Sequence, residues 1–239
     1  LSVSIGFFEL TALGLTVWII YTTDHLGDAR KIPSPASTTR HRFHQDYFNT
    51  LRKLLVLAII LDTVTLYFMR TQILKWGIVL AGGVFVYLAT QQSLKFFKEI
   101  FISVLFTCGI LLPSVSITGF TLETNQYLLI VQFAVVALIN LLLFSWFDRE
   151  LDQQDRQHSC VTIVGEGTTR IIIWLLSIVQ VLLTLIQLYW GQYNVPAILL
   201  GSMGLILSSI YIFRIPLGKQ DYYRLLGDAV FMIPVLYLL

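Results

Sequence analysis

The chain is 239 residues long, 56% hydrophobic and only 13% charged, with a mean hydropathy of +0.76. Soluble domains carry about 25% charged residues, so a mainly solvated surface is excluded and an all-α integral membrane protein is expected. The formal charge of +2 is too small to point to nucleic acid; what informs is where the charges fall.

Apolar runs of about 20 residues span a bilayer as helices, and eight are read here, over 1–22, 53–69, 73–91, 99–118, 126–147, 170–190, 195–213 and 224–239. The first ends in Y-T-T-D-H-L-G-D, with Asp24 and Asp28 four apart. Residues at that spacing share one face of a helix, with Cβ atoms about 5–6 Å apart, so both carboxylates can address one point. The connection over 29–52 is read as a long loop containing R-K-I-P-S-P-A-S-T-T-R-H-R-F-H-Q-D-Y-F. Loops beyond about 12–15 residues are usually functional or disordered, and Pro33 and Pro35 disfavour helix in the residues before them. Arg40 and Arg42 offer planar, permanently charged forks suited to phosphate oxygens; the alternative is ordinary positive charge beside lipid head groups. His41 and His44, three apart among these arginines, read as part of a basic loop rather than as a metal pair.

Glu9, Asp62 and Asp228 fall inside apolar segments. A charge at the bilayer centre costs roughly 2.5–3.5 kcal/mol even on the milder scales, so each calls for a partner or a wet cavity, Asp228 least because it lies near a segment start. The fifth apolar segment ends in S-W-F-D-R-E-L-D, where Asp148 and Asp152 repeat the spacing of the first pair and Asp155 extends it. Such acids are commonly a solvated helix end, but the matching pair at 24 and 28 argues for a site. Hard cations such as Mg²⁺ are held by one or two carboxylates plus substrate phosphates. Two such pairs at a membrane boundary therefore point to Mg²⁺ on Asp24, Asp28, Asp148 and Asp152, and to a diphosphate whose tail lies in lipid. Cys108 and Cys160 are isolated and imply neither a disulfide nor a zinc site.

Cytoplasmic loops collect Lys and Arg, and 14 of the 16 basic residues fall in connections on one side of the expected topology, leaving Arg70 and Lys75 opposite. Both acidic pairs are thus expected on the cytoplasmic face, of a membrane taken to be the bacterial inner membrane. The chain begins at Leu1 with neither the basic region nor the cleavage site of a secretory signal, and is read as a single domain over 1–239 missing its natural N-terminus.

With these motifs in place the chain resembles the UbiA superfamily of intramembrane prenyltransferases over essentially its full length, without the family's first helix. That family has nine helices, with aspartate motifs after the second and the sixth, which correspond here to the ends of the first and fifth segments. F-D-R-E-L-D-Q-Q-D-R-Q-H-S-C-V-T-I-V-G is similar to the second motif, and Y-L-A-T-Q-Q-S-L-K-F-F-K-E-I to the tyrosine-to-lysine step between the fourth and fifth helices. The chain departs from the pattern at Ile20 and Phe144, where the family commonly has Asn or Asp, and at R-H-R-F-H, where it often has an Asn-Arg-Pro turn.

The resemblance implies eight helices of a nine-helix bundle around a central cavity, and Mg²⁺-dependent transfer of a polyprenyl group from a prenyl diphosphate to an aromatic or other lipophilic acceptor. Asp24, Asp28, Asp148 and Asp152 would be the catalytic metal ligands, and Arg40, Arg42, Lys95 and Lys98 would bind the diphosphate. Trp146, Phe147, Phe144 and Tyr87 could shield the prenyl cation through their ring faces, although lipid contact is the commoner role of such residues. Two other readings stand beside it: a transporter or flippase for a phosphorylated lipid, and a homologue that binds prenyl diphosphate without transferring it.

Overall fold

The computed structural model describes residues 4–32, 34–94, 97–155, 159–213 and 222–237. Among these the regular structure is entirely helical: α1 (Phe7–Lys31), α2 (Thr39–Asp46), α3 (Phe48–Tyr67), α4 (Thr71–Leu94), α5 (Lys98–Ile117), α6 (Thr124–Gln154), α7 (Cys160–Val164), α8 (Glu166–Trp190), α9 (Asn194–Ile212), α10 (Tyr222–Ala229) and a 3₁₀ helix (Val230–Tyr237). Five are long and apolar enough to cross a membrane, over Thr71–Gln91, Lys98–Ile117, Thr124–Gln154, Glu166–Trp190 and Asn194–Ile212. The chain reads as an integral membrane protein on that basis. Helices α1 and α3 cover two further expected spans but carry charges in their apolar stretches, Glu9 and Asp24 in one and Arg52, Lys53 and Asp62 in the other.

Three expected boundaries shift. The stretch 29–52 is not a long loop, because α1 runs on to Lys31, α2 occupies Thr39–Asp46 and α3 begins at Phe48. Thr38 caps α2 by accepting the His41 N–H at 3.2 Å, which satisfies one of the orphan donors of a helix start. The fifth span continues to Gln154, so Asp148 and Asp152 lie on α6 itself. The last segment is not α-helical throughout its described part: α10 gives way to the 3₁₀ helix containing Pro234, a residue without the N–H that an α-helix needs.

Contacts divide the chain into two units, one of residues 1–93, 108–121 and 151–157, the other of 94–107, 122–150 and 158–239. In the first, α1 packs against α2 and α3. The acids inside its helices have partners: Glu9 pairs with Arg70 at 3.2 Å, and Asp62 accepts the Thr16 hydroxyl at 3.0 Å and the Thr65 hydroxyl at 3.3 Å. Much of α3 is apolar and exposed, including Leu54, Val56, Leu57, Ile60 and Val64, as suits a helix facing lipid.

In the second unit a core built on Val136, Ile139, Leu143, Ile173, Met203 and Leu207 gathers α6, α8 and α9. Without a hydrophobic force between helices in lipid, small residues and interhelical hydrogen bonds supply association. Gln132 donates to the Thr184 hydroxyl at 2.8 Å, Gln180 to the Leu200 carbonyl at 2.8 Å and Gln187 to the Asn125 carbonyl at 2.9 Å. Gly204 makes the α8–α9 approach possible, since a Cβ there would clash with the Gln180 Cγ. Gly204→Ala is therefore expected to destabilise this unit by about 1–3 kcal/mol through overpacking, read by thermal unfolding in detergent. Gly77→Ala, where an added Cβ meets nothing within 4 Å, should be neutral or stabilising by up to about 1 kcal/mol; equal responses would refute the close contact.

Candidate functional site

In the first unit, Asp24 and Asp28 lie one turn apart near the C-terminal end of α1, both half-buried. The Asp24 Oδ1 is shielded from solvent and has no hydrogen-bond partner. Polar contacts tie Ile32 and Ala36, between α1 and α2, to α2. Gln45 accepts the Ala36 N–H at 2.9 Å and donates to the carbonyls of Ile32 at 3.1 Å and Ala29 at 3.3 Å. Arg42 directs Nε and Nη2 to the Ala36 carbonyl at 3.2 and 3.1 Å, so part of its fork is engaged there. Arg40 is half-buried, with its Nε shielded and unpartnered.

Asp155, which extends the second acidic set, belongs to this same unit. Its Oδ1 accepts the Ser37 N–H at 2.9 Å and its Oδ2 faces His41 Nδ1 at 3.4 Å. Burial pushes its carboxyl up, but the hydrogen bonds from Ser37, His41 and Thr38 outweigh burial and hold it below the usual carboxylate range. His41 is not part of a solvated basic loop. It is 2% exposed and packs, through His25, with His44: ring centres are 6.2 Å apart for His25–His41 and 4.9 Å for His25–His44. Burial first, then the charge of Arg40, lowers the His41 pKa to about 4, so its imidazole is neutral near pH 7. Spacing could have exposed the cluster, since D-H-L-G-D and R-H-R-F-H each place a histidine on a helix beside a candidate ligand.

In the second unit, Asp148 is buried at 5% exposure. The Tyr223 hydroxyl donates to its Oδ1, and the Arg224 guanidinium pairs with its Oδ2. Both partners come from α10, which approaches α6 at Gly227: a Cβ there would meet Asn140 Oδ1 at 2.5 Å and Phe144 Cε1 at 2.7 Å. Phe147 stacks on Tyr223 with ring centres 4.2 Å apart, and Arg224 lies over the Phe144 ring at 5.0 Å. Trp146 is buried, edge-on to Tyr211 at 5.3 Å. These aromatics are thus packed within the unit rather than spread on lipid. Tyr87, in the first unit, is also buried.

Asp152 is buried one turn beyond Asp148 on α6. Lys98 is half-buried in the first turn of α5, and Lys95 lies outside the described residues. Beside Lys98, Glu99 accepts the Cys160 N–H at 2.6 Å and leaves Oε2 buried without a partner. Sequence reading did not single out Tyr223, Arg224, Asn140 or Glu99, because their roles depend on contacts with distant segments. As the side chains stand, no three His, Cys, Asp or Glu among the described residues are gathered to hold a metal ion.

Comparison with protein-family models, with curated proteins and with solved structures gives no match for this chain.

Proposed function

We propose that the chain is a Mg²⁺-dependent intramembrane prenyltransferase of the UbiA type, with eight spans and its acidic pairs on the cytoplasmic side of a bacterial inner membrane. The observation that carries this reading is the repeated Asp-x-x-x-Asp on two long apolar helices, Asp24/Asp28 on α1 and Asp148/Asp152 on α6. A hard cation is supported by Asp24, which keeps a shielded oxygen without a partner, and carboxylate oxygens are what Mg²⁺ prefers. Each acidic pair, Asp24/Asp28 and Asp148/Asp152, would supply carboxylate oxygens to Mg²⁺. Bound Mg²⁺ would neutralise charge developing on the diphosphate leaving group.

The chain's own cations supply the rest of donor binding. Arg40 and Arg42 offer guanidinium forks that suit phosphate oxygens, and Lys95 and Lys98 add point charges. In transfer the allylic C–O bond breaks, its electron pair leaves with the diphosphate, a nucleophilic carbon or heteroatom of the lipophilic acceptor bonds to the freed carbon, and that atom's proton is lost to water or to the departing diphosphate. A second reading, donor binding without transfer, is favoured by Ile20 and Phe144, which are apolar one turn before each acidic pair.

The test is incubation of the full chain in nanodiscs with labelled prenyl diphosphates and a lipid extract, with Mg²⁺ or with EDTA, followed by mass spectrometry. A prenylated product formed only with Mg²⁺ is expected; bound donor without product would favour the second reading, and no binding would defeat both. Arg40→Gln should weaken donor binding roughly ten- to a hundredfold, since charge-assisted hydrogen bonds contribute about 1.5–3 kcal/mol. Lys75→Gln is the control and should change nothing. Equal effects would mean that Arg40 acts only through general membrane electrostatics.

A further inference from the structure

Helices α8 and α9 of the second unit border an open cavity of about 350 Å³, toward the lower end of the roughly 300–1,000 Å³ typical of ligand pockets. Trp174, Ile178, Val181, Leu182, Leu205 and Ile212 line it, all apolar and exposed, and no charged side chain among the described residues does. Both helices are long and apolar enough to cross a membrane, so a ligand would enter from lipid.

The polar part of the lining is Ser177, Gln180, Ser208 and Ser209, and each has its donor engaged. Ser177 donates to the Ile173 carbonyl at 2.9 Å, Ser209 to the Leu205 carbonyl at 2.8 Å, and Gln180 Nε2 to the Leu200 carbonyl at 2.8 Å. The one proton of Ser208 serves the Ser177 Oγ at 2.9 Å or the Gly204 carbonyl at 2.8 Å. These four residues therefore offer lone pairs and lack a donor. Gln180 is 2% exposed, and its Oε1 is shielded and without a partner. An acceptor left unmade in a low-dielectric interior is costly. The terminal torsion of glutamine is soft, so Oε1 can turn to a donor that enters the cavity.

A phospholipid head group does not fit, because Gln180 lies near the middle of α8, where charge is expensive. A second helix does not fit either. Small residues let helices approach closely in lipid, but Gly201 and Gly204 are already covered by Thr184 and Gln180. What fits is a neutral, mainly apolar molecule with one hydroxyl. We propose that this cavity binds a lipid alcohol from the bilayer, its hydroxyl donating to Gln180 Oε1 and its apolar body lying along Ile178, Leu205 and Ile212. The site goes beyond prenyl transfer and uses none of the acidic residues.

The experiment photolabels the full chain in phosphatidylcholine nanodiscs with a diazirine-bearing long-chain alcohol, its methyl ether, and a phospholipid carrying the same diazirine chain; labelled residues are located by peptide mass spectrometry. The alcohol is expected to label 174–182 and 205–212 and to be competed by the unlabelled alcohol. The ether cannot donate, and it should label there about three- to tenfold less, the worth of one neutral hydrogen bond. Gln180→Met should reduce labelling by the alcohol to the level of the ether. Should that variant fail to fold, Leu205→Trp decides, because Leu205 is exposed and a larger side chain there fills the cavity without disturbing the core; it should abolish the label. Equal labelling by all three probes, or labelling that survives Leu205→Trp, would reduce the cavity to ordinary lipid contact and overturn the proposal. Crosslinks between the α8–α9 faces of two chains in place of lipid label would overturn it in favour of a second copy.

Discussion

Asp28→Asn and Asp152→Asn are each expected to lower Mg²⁺-dependent binding of prenyl diphosphate by at least about a hundredfold, since even outer partners of metal ligands are worth ten- to a hundredfold. Asparagine keeps the volume and removes the charge. The two residues lie on helices whose packing comes mainly from other side chains: α1 against α2 and α3 in one case, the centre of α6 in the other. The helical circular dichroism should therefore be unchanged. Binding is best read by equilibrium dialysis of labelled donor with and without Mg²⁺. Variants that bind as tightly as the parent would remove these aspartates from the list of metal ligands, and with them the main support for prenyl transfer.

Arg224→Leu is expected to destabilise the second unit by about 3–5 kcal/mol, the usual cost of leaving one member of a buried ion pair uncompensated. Asp148 is buried on α6, and its carboxylate is held from α10 by Arg224 and Tyr223. Tyr223→Phe removes one hydrogen bond and should cost less, about 1–3 kcal/mol. The double change Asp148→Leu with Arg224→Leu should recover most of the loss, because a well-packed apolar pair is often as stable as a buried ionic one. For a chain of this size the single arginine change corresponds to a fall of roughly 6–20 °C in the unfolding temperature. An unchanged midpoint would mean that Asp148 is not held by Arg224 in the folded protein.

The sequence by itself determined the membrane class and the positions of most helices, because both follow from local composition: runs such as 126–147 and 170–190 are apolar throughout. It also determined the spacing of the acidic pairs, which is a property of one helix turn. The tertiary structure decided what surrounds those acids. Helix α2 was hidden inside an expected loop because it is short and polar, and the residues before it are held by Gln45 and by Asp155, the latter 118 positions from Ser37. The break at Pro234 was visible only as a residue, not as the end of an α-helix. Asp148 looked free until α10, 75 positions on, brought Tyr223 to it. His41 and His44 looked like basic-loop residues until α1 and α2 met. Each of these depends on a polar group finding its partner far along the chain. Hydrophobic periodicity carries no record of such pairings, since burial of apolar area is non-directional whereas a hydrogen bond or ion pair needs a particular atom at a particular place.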